Sequence, residues 1–276
     1  MRGAIYGDVI GSYYEVHCTK SYDFPFEHNS TFTDDSVLIA AVCRAILQNP
    51  NEIKRWGIRS RAKEYAAQYR QFYRYFPHAG YGNMFSAWAQ NPYAKNNHSY
   101  GNGAAMRIIP IAYAYNTLDQ VLLQVKASCM PTHNHKEAIR GAQAVASAVF
   151  LARQGKSKQE IRAYIEKRVG YDLSVPLNAV RQTHVFDSRT SYSVPPAIIA
   201  FLESSDYESA VRLAVSLGGD ADTQACIAGG IAEAFYKEIP EHIRCFCEQR
   251  IDVTIKSTLK EFDQRFIAEM EGESHE

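Results

Sequence analysis

The sequence predicts an all-α fold, and three observations carry the prediction. Helical patterning recurs along the whole 276-residue chain. Sustained two-residue alternation and Asn-Gly hairpin turns, the marks of strands, are scarce. Three segments, 37–47 (VLIAAVCRAIL), 142–152 (AQAVASAVFLA) and 225–235 (ACIAGGIAEAF), are apolar on nearly every face. A helix that is hydrophobic all round has to be buried, so these three form the centre and amphipathic helices wrap them. No solenoid-period repeat and no Ser/Gly/Pro-rich linker interrupts the chain, which predicts one domain over 1–276.

The elements follow in order. Gly7-Asp8-Val9-Ile10-Gly11-Ser12, with Glu15 beyond, sets small residues beside a carboxylate and reads as a helix packing closely through Gly7 and Gly11. A buried helix is predicted over Ser36–Gln48 and an amphipathic one over Asn51–Phe76. In the latter, Lys and Arg alternate with Tyr65, Tyr69 and Tyr73; a solvated helix face is the plainer reading than a nucleic-acid surface. Helices over Ala104–Tyr115, Leu118–Lys126 and Lys136–Arg153 come next. Ser157 with Glu160, and Ser205 with Glu208, form the capping-box spacing that starts two more helices, which Gly170 and Gly218 stop. Asp222–Lys237, Glu241–Arg250 and Thr254–Met270 complete the series, ahead of an acidic tail at 271–276.

Composition narrows the function. Thirty Lys+Arg balance thirty Asp+Glu, so nothing global recommends DNA, RNA or an anionic membrane as a partner. The six cysteines form no CxxC pair and read as reduced thiols. Asp8 and Glu15 interrupt what would be the apolar part of a signal peptide, and the longest apolar stretch is too short to span a bilayer. The expectation is a cytoplasmic monomer with no membrane contact.

Where the acids lie is more informative than how many there are. Thr33-Asp34-Asp35 directly precedes the first buried helix, and Asp220-Ala221-Asp222-Thr223 directly precedes the third. One carboxylate at a helix start is an ordinary cap, whereas two adjacent pairs at buried helices repel one another unless a cation joins them. Spacing alone leaves two independent caps and a metal site both open. All the donors are oxygens, which suits Mg²⁺, Mn²⁺ or Ca²⁺ and argues against zinc or copper, and their number allows two ions. Tyr100-Gly101-Asn102-Gly103 again precedes a predicted helix, where small residues let a phosphate approach backbone N–H groups or simply form a tight turn. His133-Asn134-His135 reads as substrate contact or loop.

In this order, GAIYGDVIGSYYE, FTDDSV, YGNGAAMR, THNHKEA and SLGGDADTQACIAGGIAEAFY resemble the ADP-ribosylglycohydrolase family over residues 3–240, leaving helices over 241–270 outside the motifs. The chain has Ser36 where that family often has Thr. The resemblance implies a compact orthogonal multi-helix bundle with a binuclear Mg²⁺ or Mn²⁺ centre at one end of the central helices. It implies Thr33, Asp34, Asp35, Asp220, Asp222 and Thr223 as metal ligands, and Glu15 and Asp35 as candidate catalytic carboxylates. Glu15, Tyr100, Gly101, Asn102, Gly103 and His133 would meet the substrate, as would Tyr192, in a 191–193 loop bordering the site. The implied activity is hydrolysis of the bond between C1″ of ADP-ribose and a modified protein side chain. The alternatives are a small-molecule or nucleic-acid conjugate such as O-acetyl-ADP-ribose, or a non-catalytic ADP-ribose-binding or structural family member.

Overall fold

Helix α1 (Arg2–Val16) carries Gly3, Gly7 and Gly11 at four-residue spacing, which puts all three on one face. That face meets Gly229, Ala225 and Ala221, at the same spacing on α12 (Ala221–Tyr236). Numbers rise along one helix as they fall along the other, so the pair is antiparallel. The backbones nearly touch: a Cβ built on Gly7 would sit 2.1 Å from the Ala225 carbonyl oxygen. At one end of the pair, Glu233 accepts hydrogen bonds from the backbone N–H groups of Arg2 and Gly3 at 3.0 and 2.9 Å, satisfying donors that a helix start leaves unpaired. At the other end, Glu15 is brought to the start of α12.

The computed structural model describes residues 1–267, and its regular structure is helical, with only two isolated β-bridges among the described residues. Between α1 and α12 lie α2 (Asp34–Gln48), α3 (Ile58–Tyr75), α4 (Asn83–Gln90), α5 (Ile109–Ala114), α6 (Leu118–Cys129) and α7 (Lys136–Arg153). These are followed by α8 (Lys158–Arg168), α9 (Leu177–Thr183), α10 (Thr190–Glu203) and α11 (Tyr207–Val215); α13 (Glu241–Glu248) and α14 (Val253–Phe266) close the series. The three apolar segments lie in α2, α7 and α12, all buried as their sequence demands. Helix α12 packs against α1, α2, α7, α10 and α11, making it the hub of the bundle. One hydrophobic cluster runs from Met1 to Phe262. All six cysteines are free thiols, with Cys43, Cys129, Cys226 and Cys247 buried. No helix among the described residues is long and apolar enough to cross a membrane.

Several element boundaries differ from the sequence expectation. The Ser157–Glu160 box forms, and Gly170 takes a φ of 77° just beyond α8. The Ser205–Glu208 box does not. Asp206 and Ser209 cap α11 one residue later, while Glu208 is drawn to Arg212 and His242. The helix expected over Asn51–Phe76 starts at Ile58, after a 3₁₀ turn at Arg55–Gly57. The one expected over Ala104–Tyr115 begins at Ile109, where Pro110 lacks the N–H that an interior position would use. Helix α10 was not anticipated because Pro195 and Pro196 lie inside it. Its first turn contains Ser191, Tyr192 and Ser193, which are therefore helical and not a loop. The expected helix end at Met270 and the tail at 271–276 lie outside the described residues.

Candidate acidic site

The antiparallel α1–α12 pair and the start of α2 place five acids around one point. Carboxylate oxygens of Asp8, Asp35 and Asp222 lie within 4.8 Å of one another, as do those of Glu15, Asp220 and Asp222, so Asp222 belongs to both groups. Asp8, Asp35, Asp220 and Asp222 are buried, and among the described residues no lysine or arginine is ion-paired with any of these acids. Burial, then the charges of Asp8, Asp34 and Asp220, holds the Asp35 carboxyl well above its ordinary range. Burial and Asp220 do the same to Asp222, and burial with Asp8 to Asp34. Glu15 is raised by burial and by Asp220. Buried like charges with no protein cation beside them are what a hard, oxygen-seeking cation relieves. The two carboxylate groups that share Asp222 could hold one; Asp34 and Thr223 line the adjoining cavity, and the Thr33 hydroxyl is turned to Asp8.

Asp8 was not among the sequence-expected site residues, yet it organises the site. It is fully buried and accepts from Thr33 N at 3.0 Å, Thr33 Oγ1 at 2.7 Å, Ser36 N at 3.1 Å and Ser36 Oγ. An ionised carboxylate has about four lone-pair sites, so Asp8 is spent on shaping the 33–36 turn. Ser36 supplies a hydroxyl at this contact, as a threonine there would. The available signal was an acid between two close-packing glycines, where the helix has no solvent face.

The other predicted residues divide into two sets. Thr223 Oγ1 donates to Asp35 Oδ2 at 3.2 Å, and its backbone N–H to Asp222 Oδ1 at 2.8 Å. Asn102 Nδ2 donates to Asp220 Oδ2 at 2.7 Å and to Ser193 Oγ at 2.9 Å, tying the glycine turn to α12 and α10. A cavity of about 350 Å³ runs from Glu15, Asp34 and Asp222 past Asn102 and Gly103 to His133. Asn102 to Ala104 form a 3₁₀ turn and not the start of an α-helix, which is the tight-turn alternative of the two left open by the sequence. Tyr100 and Tyr192 stand outside the cavity lining. Tyr100 packs edge-on against His135 at 5.8 Å, and the Tyr192 ring is covered by Arg189 at 4.6 Å. Phe186 and Met84, exposed at the cavity wall, lie in segments where no pattern in the sequence marked them.

Comparison with known proteins bears on the family and the fold. A family model described as ADP-ribosylglycohydrolase matches residues 1–275. ADP-ribosylhydrolase ARH3 of Mus musculus is 26% identical, the match covering 96% of this chain and 91% of that protein. The Homo sapiens ADP-ribosylhydrolase ARH3 is 25% identical over 96% of this chain and 93% of its own. ADP-ribosylarginine hydrolase Tri1 of Pseudomonas putida is 28% identical, over 49% of this chain and 38% of that protein. A solved chain of an ADP-ribosylglycohydrolase-related protein complex shares the fold, with TM-score 0.70 at 24% identity over 94% of this chain and 93% of that one.

Proposed function

The chain belongs to the ADP-ribosylglycohydrolase family, and on that premise we propose that it hydrolyses the bond joining C1″ of ADP-ribose to a modified acceptor, a protein side chain foremost. The observation that carries the proposal is the gathering of Glu15, Asp35 and Asp220 around Asp222 beside the cavity. Thr33, Asp34, Asp35, Asp220, Asp222 and Thr223 would hold two divalent cations, Mg²⁺ or Mn²⁺. Bound there, such ions supply charge stabilisation and acidify water toward neutral pH.

The chain's own residues account for the rest. Glycosidic cleavage passes through an oxocarbenium-like transition state, so the site must fix the ribose, tolerate positive charge on the ring and direct water to one face. Gly101 and Gly103 let the turn run along the cavity wall beside His133, and Asn102 holds the Asp220 carboxylate in place. Glu15 lines the cavity, whereas Asp35 is 1% exposed and lies behind it. That difference favours Glu15 as the base: it takes a proton from water as the C1″–O bond forms, the bonding pair of the broken bond leaves with the acceptor, and the acceptor is protonated from Glu15 or solvent.

A panel of Arg-linked, Ser-linked and nucleic-acid-linked ADP-ribose, with O-acetyl-ADP-ribose, tests this directly. Free ADP-ribose is expected from at least one substrate, lost in EDTA and restored by Mg²⁺ or Mn²⁺; release from none of them refutes hydrolysis. Glu15→Gln is expected to lower kcat by about 10²–10⁴-fold, the usual worth of a general base. Its ADP-ribose Kd, read by calorimetry, should stay near the wild-type value, and an unchanged rate removes Glu15 from the mechanism.

A further inference from the structure

Behind the His133 end of the cavity lies a guanidinium that the reaction as described does not use. Arg107 is fully buried, and none of the ion pairs among the described residues includes it. Its Nε and Nη1 find no hydrogen-bond partner among the described residues, and its plane rests on the Tyr69 ring at 4.2 Å. Only Nη2 is engaged, donating to the Ser128 carbonyl at 3.0 Å and to Thr132 Oγ1 at 2.8 Å. An arginine buried without a carboxylate is an expensive way to fill a core position. Thr132 Oγ1 in turn lies 2.8 Å from His133 Nδ1.

We propose that Arg107 and Thr132 form a buried positioning relay that holds His133 as a neutral imidazole, with Nδ1 bare and Nε2–H presented to the cavity as a donor for a ligand oxygen. Arginine has donors only, so the contact with Arg107 makes Thr132 Oγ1 an acceptor. The threonine's single proton then needs an acceptor of its own, and among the described residues His133 Nδ1 is the one within reach. Were Nδ1 protonated, Thr132 would take two donors while its own proton went unpaired at a residue 1% exposed. A neutral ring with Nδ1 accepting carries its proton on Nε2. Burial, then the positive charge of Arg107, holds the imidazole well below its ordinary range, disfavouring the doubly protonated ring. Nε2 faces the glycine turn: a Cβ on Gly103 would lie 3.1 Å from it, and one on Gly101 3.8 Å. No partner for Nε2 occurs among the described residues, and His133 lines the cavity.

That the oxygen it meets belongs to ADP-ribose rests on the function proposed above; the tautomer does not. Nitrogen-15 NMR of histidine-labelled full-length protein is expected to find the His133 proton on Nε2, and a proton on Nδ1 or rapidly averaged tautomers overturn the relay. Thr132→Val should give mixed tautomers and weaken ADP-ribose binding about tenfold, the worth of one hydrogen bond, with Thr132→Ser restoring both. Arg107→Met, which frees the threonine lone pair for Nδ1–H, should shift the tautomer while leaving the hydroxyl in place. An unchanged tautomer in either Thr132→Val or Arg107→Met overturns the proposal, as does unchanged ADP-ribose affinity in Thr132→Val. Should a variant fail to fold, the wild-type spectrum still decides. It needs no ligand, so failure of the ADP-ribose reading and failure of the relay are told apart.

Discussion

Asp35→Ala is expected to abolish ADP-ribose release while leaving the helical content intact. Asp35 sits in the first turn of α2 with its oxygens close to Asp8 and Asp222, and it receives the Thr223 hydroxyl. Removing it takes away the carboxylate that accepts this bond and so joins α2 to α12 across the site. A loss of at least about 10³-fold in kcat is expected, within the range that single groups of this kind contribute. The same change should erase the stabilisation conferred by Mg²⁺. A ligand that binds only the folded state at a hundredfold excess over its Kd adds about 2.7 kcal/mol, a rise in melting temperature readily seen by scanning fluorimetry. Metal-free Asp35→Ala should be no less stable than metal-free wild type, since one of several repelling buried carboxylates is gone. Full activity with Mg²⁺ present would sink the metal assignment.

Gly7→Ala is expected to be the most damaging single methyl in the α1–α12 contact. Its Cβ would lie 2.1 Å from the Ala225 carbonyl oxygen and 2.5 Å from that carbonyl carbon, so backbone must move. Separating two buried helices opens voids along their whole contact, and a loss of about 4 kcal/mol or more in urea unfolding is expected, the range that marks a severe core defect. Gly57→Ala serves as control. Its nearest neighbour would be 3.7 Å away, so the change should stay within about 1 kcal/mol. Gly7→Ala should also lower activity in whatever fraction remains folded, because parting the helices carries Glu15 away from Asp220 and Asp222. Wild-type stability in Gly7→Ala would mean that the close approach is not built into the fold.

How much of this was legible beforehand depended on the physics of each element. Helices α2, α7 and α12 were plain, because an apolar surface on all sides has a single resting place. The acids at 33–35 and 220–223 could be picked out because their spacing strained the simpler reading as caps. Helix α10 could not, since Pro195 and Pro196 argue locally for a break that tertiary packing overrides. The cap of α11 was misplaced by one residue because Ser205-Asp206-Tyr207-Glu208-Ser209 contains two overlapping boxes, and only three-dimensional partners for Glu208 choose between them. Asp8 and the Arg107–Thr132–His133 chain were hidden for a deeper reason. Their meaning lies in who donates to whom, which no spacing along the chain encodes.

The glycine face that seats α1 on α12 has a consequence for the order of synthesis. The hydrogen bond from Gly3 to Glu233 joins residues 230 positions apart. At ribosomal rates, α1 waits about 10–50 s for the helix it packs against. During that interval its glycine stripe has no permanent partner, although α2 can already pack on α3. A prematurely released product carries Glu15, Thr33, Asp34 and Asp35 with nothing to face them. The acidic site is therefore assembled late in synthesis, and only chains that reach α12 can possess it.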